Sequence, residues 1–231
     1  MASIRFGNGV ADARGSINGT TFSRNANGGY ARNRTTPTNP RTGRQVAQRL
    51  LLSGLSSQWR SLDNGERQTW IDGAPNFPYT NRLGERSTLT GPQLYTKLNL
   101  ALLSAGQPTI SRCPAPEVFP FLGDAVLVLD SNAGVLDFAV NYDNDIPVGF
   151  TAQVFASVGV SAGRNATSTP KKLVATVAGA GAPSVAFGAG YSSVYGPPVG
   201  GTNIVVEVRL VNNSTGQTVT TFTGSGLVVE V

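Results

Sequence analysis

The spacing of apolar residues changes near Pro120, and this change constrains the fold more than any other feature of the sequence. Before Pro120, apolar side chains recur at the short intervals that place them along one face of a helix. After Pro120, short runs rich in β-branched residues are separated by Gly, Pro, Asn and Asp, which is typical of strands and turns. The sequence therefore predicts an α+β chain whose helices precede its main set of strands.

The second half of the sequence contains seven short runs with the composition of β-strands. Seven strands in a domain of this size are typical of an immunoglobulin-like or fibronectin-type β-sandwich. In the sixth run, Val206, Val208 and Leu210 alternate with polar residues, so we expect these side chains to point inward from a central strand. The runs are residues 125–129, 135–140, 150–156, 173–177, 184–187, 204–210 and 227–231.

A long helix is predicted to begin at Asn39 and Pro40. Asn is a favoured N-cap residue, and Pro is favoured at the first helical position. The apolar residues expected on one face of this helix are Val46, Leu50, Leu51, Leu55, Trp59 and Leu62.

Two shorter helices are predicted from capping boxes, in which the residue at the cap and the residue three positions later bond each other's backbone. We expect the second helix to end near Gly73 and the third to end at Gly106. Trp59 and Trp70 are interpreted as core residues of this small helical region. The capping-box pairs are Asp63 with Glu66 and Thr90 with Gln93.

The segment before the helices is dominated by Gly, Asn, Thr, Ser and Arg and has too few large apolar residues to build a core. Residues 15–24 and 29–34 are predicted to form a β-hairpin around an Asn/Gly turn at residues 25–28. A lone hairpin is marginally stable in water. We therefore expect this extended arm to become ordered against a neighbouring domain or a partner chain.

These patterns divide the sequence into four parts. A basic extended arm with its hairpin is predicted at residues 1–38, and a helical region at residues 39–111. A Pro-rich linker is predicted at residues 112–120, and the β-sandwich at residues 121–231.

The charge is distributed unevenly along the chain. The first 112 residues carry 14 basic and five acidic residues, a net charge of +9, whereas the remainder carries four basic and eight acidic residues, a net charge of −4. The first 62 residues contain nine arginines, no lysine and one acid, Asp12. Such a segment suits an anionic partner, either nucleic acid or an acidic protein surface, and arginine suits planar, bidentate docking.

The residues needed for most catalytic and metal sites are missing from the sequence. It has no histidine, and its single cysteine, Cys113, excludes an internal disulfide and a multi-cysteine zinc site. Asp143, Asn144 and Asp145 lack the further ligands of a calcium loop, so they are interpreted as a turn between strands. We expect no enzymatic activity, metal or cofactor.

No apolar run has the length of a membrane span and no N-terminal signal is evident, so neither membrane insertion nor export is expected.

Several short motifs follow one another in a characteristic order. They are Ala-Arg-Gly-Ser-Ile-Asn-Gly-Thr-Thr-Phe-Ser-Arg at 13–24, Tyr-Ala-Arg-Asn-Arg at 30–34, Pro-Thr-Asn-Pro at 37–40, then Gln45, Arg49 and Trp59, and later Tyr-Ser-Ser-Val-Tyr-Gly-Pro at 191–197. In these motifs the chain resembles a loose family of bacteriophage and prophage virion-associated proteins. Members of that family have a Gly/Arg hairpin, an Asn-Pro helix start, a Trp-bearing helical pair and a C-terminal β-domain.

The resemblance implies a structural protein of the virion, assembled in the cytoplasm of the bacterial host. Capsid decoration or cementing, on the major capsid protein and with other copies of the chain, is the first hypothesis. A place at the head–tail junction or on the tail, and DNA binding by the basic arm, remain alternatives. So does a glycan-binding sandwich with Tyr142, Tyr191 and Tyr195 exposed on one face. The residues expected to bind the partner are Arg14, Phe22, Arg24, Tyr30, Arg32, Arg34, Arg41 and Arg44.

Overall fold

The computed structural model describes residues 2–3, 7, 9, 12–25, 28–36, 38–80, 86–132, 135–163 and 169–230. Within these residues the chain is mixed α+β with most of its regular structure in strands, so the predicted class is confirmed. The chain forms two compact units, residues 1–46 and residues 47–231.

The first unit contains a four-stranded antiparallel sheet with the strand order β1-β4-β3-β2. The pairing of β3 with β4 confirms the predicted hairpin, whose turn residues 26–27 lie outside the described residues. A second turn at Asn18 and Gly19 divides the first predicted strand in two, with Asn18 in the left-handed region at φ 49°. Asn tolerates this conformation better than most residues. The strands are β1 (Ala2–Ser3), β2 (Gly15–Ile17), β3 (Thr20–Asn25) and β4 (Gly28–Asn33).

This N-terminal sheet has no hydrophobic core of its own. Wherever the structure describes side chains in residues 1–46, none is buried. Phe22 and Tyr30 are half-buried, and Ile17 is 69% exposed. The expectation of a core-free arm therefore agrees with the burial of the described residues.

Helix α1 (Gly43–Ser61) begins later than the sequence suggested, so the placement of its cap at Asn39 was wrong. The carbonyl of Thr42 accepts the first helical bond, from the Val46 N–H at 3.0 Å. Arg41 has a φ of 47°, a left-handed conformation that a right-handed helix cannot pass through. The Asn39 side chain instead accepts a bond from the N–H of Arg41 at 3.4 Å.

Both predicted capping boxes are present. The Asp63 side chain accepts the Glu66 N–H at 2.6 Å, and the Glu66 side chain accepts the Asp63 N–H at 3.2 Å. At the third helix, the Gln93 side chain accepts the Thr90 N–H at 2.9 Å. The elements that follow α1 are α2 (Asn64–Gly73), a short 3₁₀ helix (Ala74–Asn76), β5 (Pro78–Thr80), β6 (Arg86–Thr88) and α3 (Gly91–Ser104).

The helices share a small core around three aromatic side chains. Tyr95 lies between the two tryptophans, with ring centroids 5.3 Å from Trp59 and 5.2 Å from Trp70. The Trp70 Nε1–H donates to the carbonyl of Ser111 at 2.7 Å, which satisfies its buried polar atom. Both tryptophans are thus core residues, as predicted. The other buried residues of this cluster are Leu55, Ala74, Leu94 and Leu98.

The first part of α1 contributes nothing to that core. Val46 and Leu50 were expected on a buried face, but both are exposed. The residues of α1 that join the helical core begin at Leu55 and include Trp59. The periodicity was correct, but a helical face is buried only where another element packs against it.

Two larger sheets form the second half of the chain. In the five-stranded sheet, β13 lies between β9 and β14, β9 also pairs with β11, and β10 pairs with the first residues of β13. The four-stranded sheet has the order β12-β8-β7-β15, in which only the β7–β15 pair is parallel. The elements are β7 (Ala125–Asn132), β8 (Val135–Ile146), β9 (Phe150–Ser157), β10 (Val160–Ser161), β11 (Lys171–Ala178), β12 (Ala182–Ala186), α4 (Gly188–Tyr195), β13 (Thr202–Asn212), β14 (Thr218–Leu227) and β15 (Val229–Glu230).

Strands from both sheets contribute to one hydrophobic core. Val206, Val208 and Leu210 on β13 are fully buried in it, as the alternation predicted, while Glu207 and Arg209 point to the other side of the sheet. Across this core lie Phe138, Val140 and Tyr142 of β8 and Val185 of β12.

One local prediction for this half was wrong, and two elements were not predicted. Residues 143–145 continue β8 to Ile146 and do not form a turn. Strand β14 was missed because its sequence, Thr-Val-Thr-Thr-Phe-Thr-Gly-Ser-Gly-Leu, has few large apolar residues. Helix α4 was missed because its Gly, Ala and Ser residues give no helical apolar stripe. Its Gly188 and Gly190 pack against the carbonyls of Leu136 and Val174, so small residues are needed there.

The segment predicted as a linker, residues 112–120, is bonded to elements on either side of it. The Cys113 N–H donates to the Thr69 hydroxyl on α2 at 3.1 Å. Further along, the Gln217 side chain, just before β14, donates to the carbonyl of Ala115 at 2.7 Å. These bonds connect the helical region to the five-stranded sheet.

Replacing Val208 with Asp is expected to unfold the β-half, because the substitution buries an unpaired charge beneath the central strand. We expect the free energy of unfolding to fall by about 4 kcal/mol or more. The matched control is Val126→Asp on β7, where the native side chain is 63% exposed and the same change is expected to be tolerated. Urea denaturation followed by circular dichroism measures both, and equal effects at the two positions would contradict the assigned register.

A substitution at Gly216 tests how the helices pack on the sheets. A Cβ at this position would collide with the Leu98 carbonyl and approach the Leu102 side chain on α3. Gly216→Ala is therefore expected to destabilise the protein by about 2 kcal/mol more than Gly181→Ala, because overpacking adds to the backbone strain. Gly181 is the matched control, since it has the same φ of 70° and nothing near its missing Cβ. Equal losses in a denaturation titration would show that α3 does not press on this turn.

Candidate protein-binding surface

The predicted binding residues of the N-terminal sheet lie on two opposite faces. In the register of the sheet, Phe22 lies opposite Gly15 and Tyr30 lies opposite Ser23. Neighbouring residues along a strand point to opposite faces, and directly paired residues share a face. Phe22 and Arg24 therefore occupy one face with Ile17, whereas Tyr30 and Arg32 occupy the other.

A shallow, open concavity of about 420 Å³ lies on the N-terminal sheet beside Phe22. Arg14 and Arg24 supply its charge, and Gly15 and Ser23 complete its lining. Two guanidinium groups beside an aromatic ring offer charged hydrogen bonds to a carboxylate and an apolar contact to its neighbour. The arrangement suits a protein segment that carries acidic and apolar side chains together.

The arginines of this unit are largely unpaired. Arg14 forms an ion pair with Asp12, with Nε 3.0 Å from the carboxylate, on an exposed surface. Among the described residues, no ion pair is formed by the other five arginines that were predicted to bind the partner, and all five are exposed. They are Arg24, Arg32, Arg34, Arg41 and Arg44.

The structure thus brings together three of the eight predicted residues, Arg14, Phe22 and Arg24, around one concavity. Tyr30 and Arg32 lie behind them, and Arg34, Arg41 and Arg44 follow β4 in the chain. The predicted binding residues did not include Ile17, which shares the Phe22 face. Asp12 was noted as the one acid of the first 62 residues, but its pairing with Arg14 was not predicted. The alternation of residues along the hairpin was the signal that identifies Ile17.

Carboxylates and one thiol are the groups with reactive potential in the rest of the described residues. Those residues contain no cluster of carboxylate, thiol or imidazole groups with the geometry of a metal site. Burial raises the pKa of the Cys113 thiol, which keeps it protonated and unreactive at neutral pH. Its sulfur lies 3.6 Å from the carbonyl of Pro114.

Glu207 is the centre of a charged cluster on the outer face of the five-stranded sheet. Its carboxylate lies 2.7 Å from the Lys171 Nζ and 2.7 Å from the Arg209 Nε. Burial would raise the pKa of Glu207, but the hydrogen bonds and charges of Lys171 and Arg209 outweigh it and lower the pKa below its ordinary value. The Arg209 guanidinium also lies 4.6 Å from the centre of the Phe155 ring. Each charge here has a partner, so the cluster is structural.

The tyrosines considered for glycan binding do not form an exposed aromatic face. Tyr142 and Tyr191 are buried in the core between the sheets. Burial raises the pKa of Tyr191 to about 12. The Tyr195 hydroxyl donates to the carbonyl of Ala156 at 2.9 Å. This observation weakens the glycan-binding hypothesis.

Comparison of the chain with protein-family models, with curated proteins and with solved structures finds no match. The likeness to phage virion proteins therefore depends on the short motifs in the first half and near Tyr191. In the part of the chain that the structure describes, no helix is both long and apolar enough to cross a membrane.

The Glu207 cluster makes stability depend on pH. Because the folded pKa of Glu207 is lowered, its contribution is present above the unfolded value of 4.5 and is lost as the pH falls through the folded pKa. Glu207→Gln is expected to cost about 1 kcal/mol at neutral pH and clearly less near pH 2. Asp145→Asn, at an exposed carboxylate that forms no ion pair among the described residues, is the control for the general effect of removing a carboxylate. A pH-independent loss for Glu207→Gln, measured by thermal melts, would contradict the assignment.

Proposed function

We propose that this chain is a non-enzymatic structural protein of a bacteriophage virion. Its N-terminal sheet docks on acidic surfaces of other virion proteins, first of all the major capsid protein. The observation that carries the proposal is that this sheet has no buried side chain among its described residues and displays unpaired arginines. The motifs at residues 13–24, 30–34 and 37–40 support the virion setting.

The N-terminal sheet needs a partner for its stability. A sheet of short strands is independently stable only when one face is buried against another element. Here Ile17 remains 69% exposed and Phe22 half-buried, although both belong to the same face. Docking would remove this apolar surface from water and supply carboxylates to Arg14 and Arg24. The sheet therefore has the properties of an anchor.

The second half of the chain is proposed to be an immunoglobulin- or fibronectin-like sandwich that projects from the particle or joins neighbouring copies. The support is that two mainly antiparallel sheets contribute to one core, with outward residues such as Glu207 and Arg209 on the opposite side. In this proposal the sandwich is a rigid body that the anchor holds in place.

Alternative positions in the virion use the same anchor. The head–tail junction and the tail also offer protein surfaces, and copy number separates them from the capsid. Many copies per purified virion are expected for capsid decoration, and few for a junction or tail position. The copy number is measured by quantitative mass spectrometry against the major capsid protein. A small copy number would contradict decoration but leave the docking role intact.

The anchor is tested by removing two of its charges. Arg14→Ala with Arg24→Ala is expected to weaken binding to purified capsids by about 2 kcal/mol, roughly 30-fold, because both arginines line the concavity beside Phe22 and would lose their carboxylate partners. The charge-matched control is Arg86→Ala with Arg112→Ala, at exposed positions outside the N-terminal sheet. Binding is measured by co-sedimentation. Equal binding of both double variants would contradict the proposal. Tight binding of the wild type to random duplex DNA at physiological salt that is lost in the double variant of the N-terminal sheet would favour the nucleic-acid alternative.

A further inference from the structure

Three large apolar side chains are more exposed than any others in the part of the chain that the structure describes. Val118 is 97% exposed, Phe121 is 85% exposed and Val148 is 81% exposed. Single exposed apolar residues are common on proteins, but a group of them marks an interaction surface.

These three residues lie around one end of the two sheets, at the turn between β8 and β9. The Phe119 ring, next to Val118 in the chain, packs on Phe150 at 5.9 Å. The carbonyl of Phe121 accepts a bond from the Asn144 side chain at 3.3 Å. Val148 lies in the turn that separates β8 from Phe150. We name Val118, Phe121 and Val148 the turn-end patch.

Carboxylates without basic partners lie beside the turn-end patch. The Asp143 carboxylate accepts the N–H of Asp124 at 2.9 Å, and Asp145 lies two residues further along β8. None of the three carboxylates forms an ion pair within the described ranges. The sequence has no lysine or arginine between Arg112 and Arg164. The part of the sequence that supplies the patch therefore carries acidic residues and no basic ones.

We propose that the turn-end patch of one copy binds the N-terminal sheet of a second copy. The inference rests on the docking role proposed above for that sheet, and it names one of its partners. The two surfaces are complementary in both respects that matter for docking. Phe22 and Ile17 meet an apolar patch, and Arg24 meets carboxylates. Neither Arg24 nor these carboxylates form an ion pair among the described residues.

The geometry of such an interface is head-to-tail. Each copy carries one sheet and one patch, so every copy can bind two neighbours through different surfaces. Repetition of a heterologous contact produces a ring if the rotation closes and an open string if it does not. A Phe22 face that is bound to a neighbouring copy is not free to dock on another virion protein, so the two kinds of docking alternate on that face.

The test uses two full-length variants, each lacking one half of the interface. The patch variant is Phe121→Ser with Asp145→Asn, and the sheet variant is Phe22→Ser with Arg24→Ala. All four side chains are exposed or half-buried, so both proteins are expected to melt like the wild type. Val199→Ser, at another exposed apolar residue, is the control for a general loss of surface hydrophobicity.

In sedimentation velocity, the wild type and the Val199→Ser control are expected to associate with rising concentration, and less so at high salt. Each variant alone is expected to remain a monomer. An equimolar mixture of the two variants is expected to form 1:1 dimers, because one supplies an intact sheet and the other an intact patch. A symmetric interface uses the same surface on both copies, so restoration of association by mixing would show that two different surfaces meet.

Three results would overturn the proposal: a wild type that stays monomeric at all concentrations, association of the patch variant with itself, or no dimer in the mixture. If either variant melts early, Val118→Ser replaces the patch variant and Arg24→Asp the sheet variant in the same mixture. The proposed function is judged separately by capsid binding of Arg14→Ala with Arg24→Ala. A protein that binds capsids through its sheet but never self-associates would retain the proposed function and refute this interface.

Discussion

The burial of β13 between β9 and β14 is the constraint on which the second half of the structure depends. Val206, Val208 and Leu210 are inaccessible to solvent, and strands of both sheets meet around them. On the other side of the same strand, Glu207 is held by Lys171 and Arg209. Alternation along one strand thus separates an apolar interior from a charged exterior, which fixes the register of its neighbours.

The helical region is attached to this framework by packing and by backbone bonds. Leu98 and Leu102 on α3 approach Gly216 so closely that no side chain fits there. Ala115 accepts a bond from Gln217, and the Asn212 side chain donates to Glu117. A Pro-rich segment between two regions is flexible when it is solvated, but here its polar groups bond to both neighbours. Residues 47–231 accordingly form one compact unit.

The N-terminal sheet differs from the rest of the chain in what stabilises it. Its strands are paired, yet its described side chains bury no core, and its exposed arginines repel one another in the absence of a partner. The proposed contact with an acidic and partly apolar protein surface would correct both deficiencies. The lack of a core and the excess of charge therefore support one hypothesis for function.

The sequence by itself determined the α+β class, the hairpin, the two capping boxes and the inward side of β13. These features depend on residues close together in the chain, through turn preferences, cap hydrogen bonds and alternation. The same local reasoning placed the first helix cap at Asn39 and missed β14 and α4.

Only the tertiary structure decided which apolar surfaces are covered. Leu50 and Leu55 have the same side chain on the same helix, but only Leu55 has neighbours from other helices. Likewise, the sequence named Arg14, Phe22, Arg24, Tyr30 and Arg32 together, and the pairing register separated them into two faces. Exposure depends on contacts between residues far apart in the chain, and a pattern of neighbouring residues carries no information about those contacts.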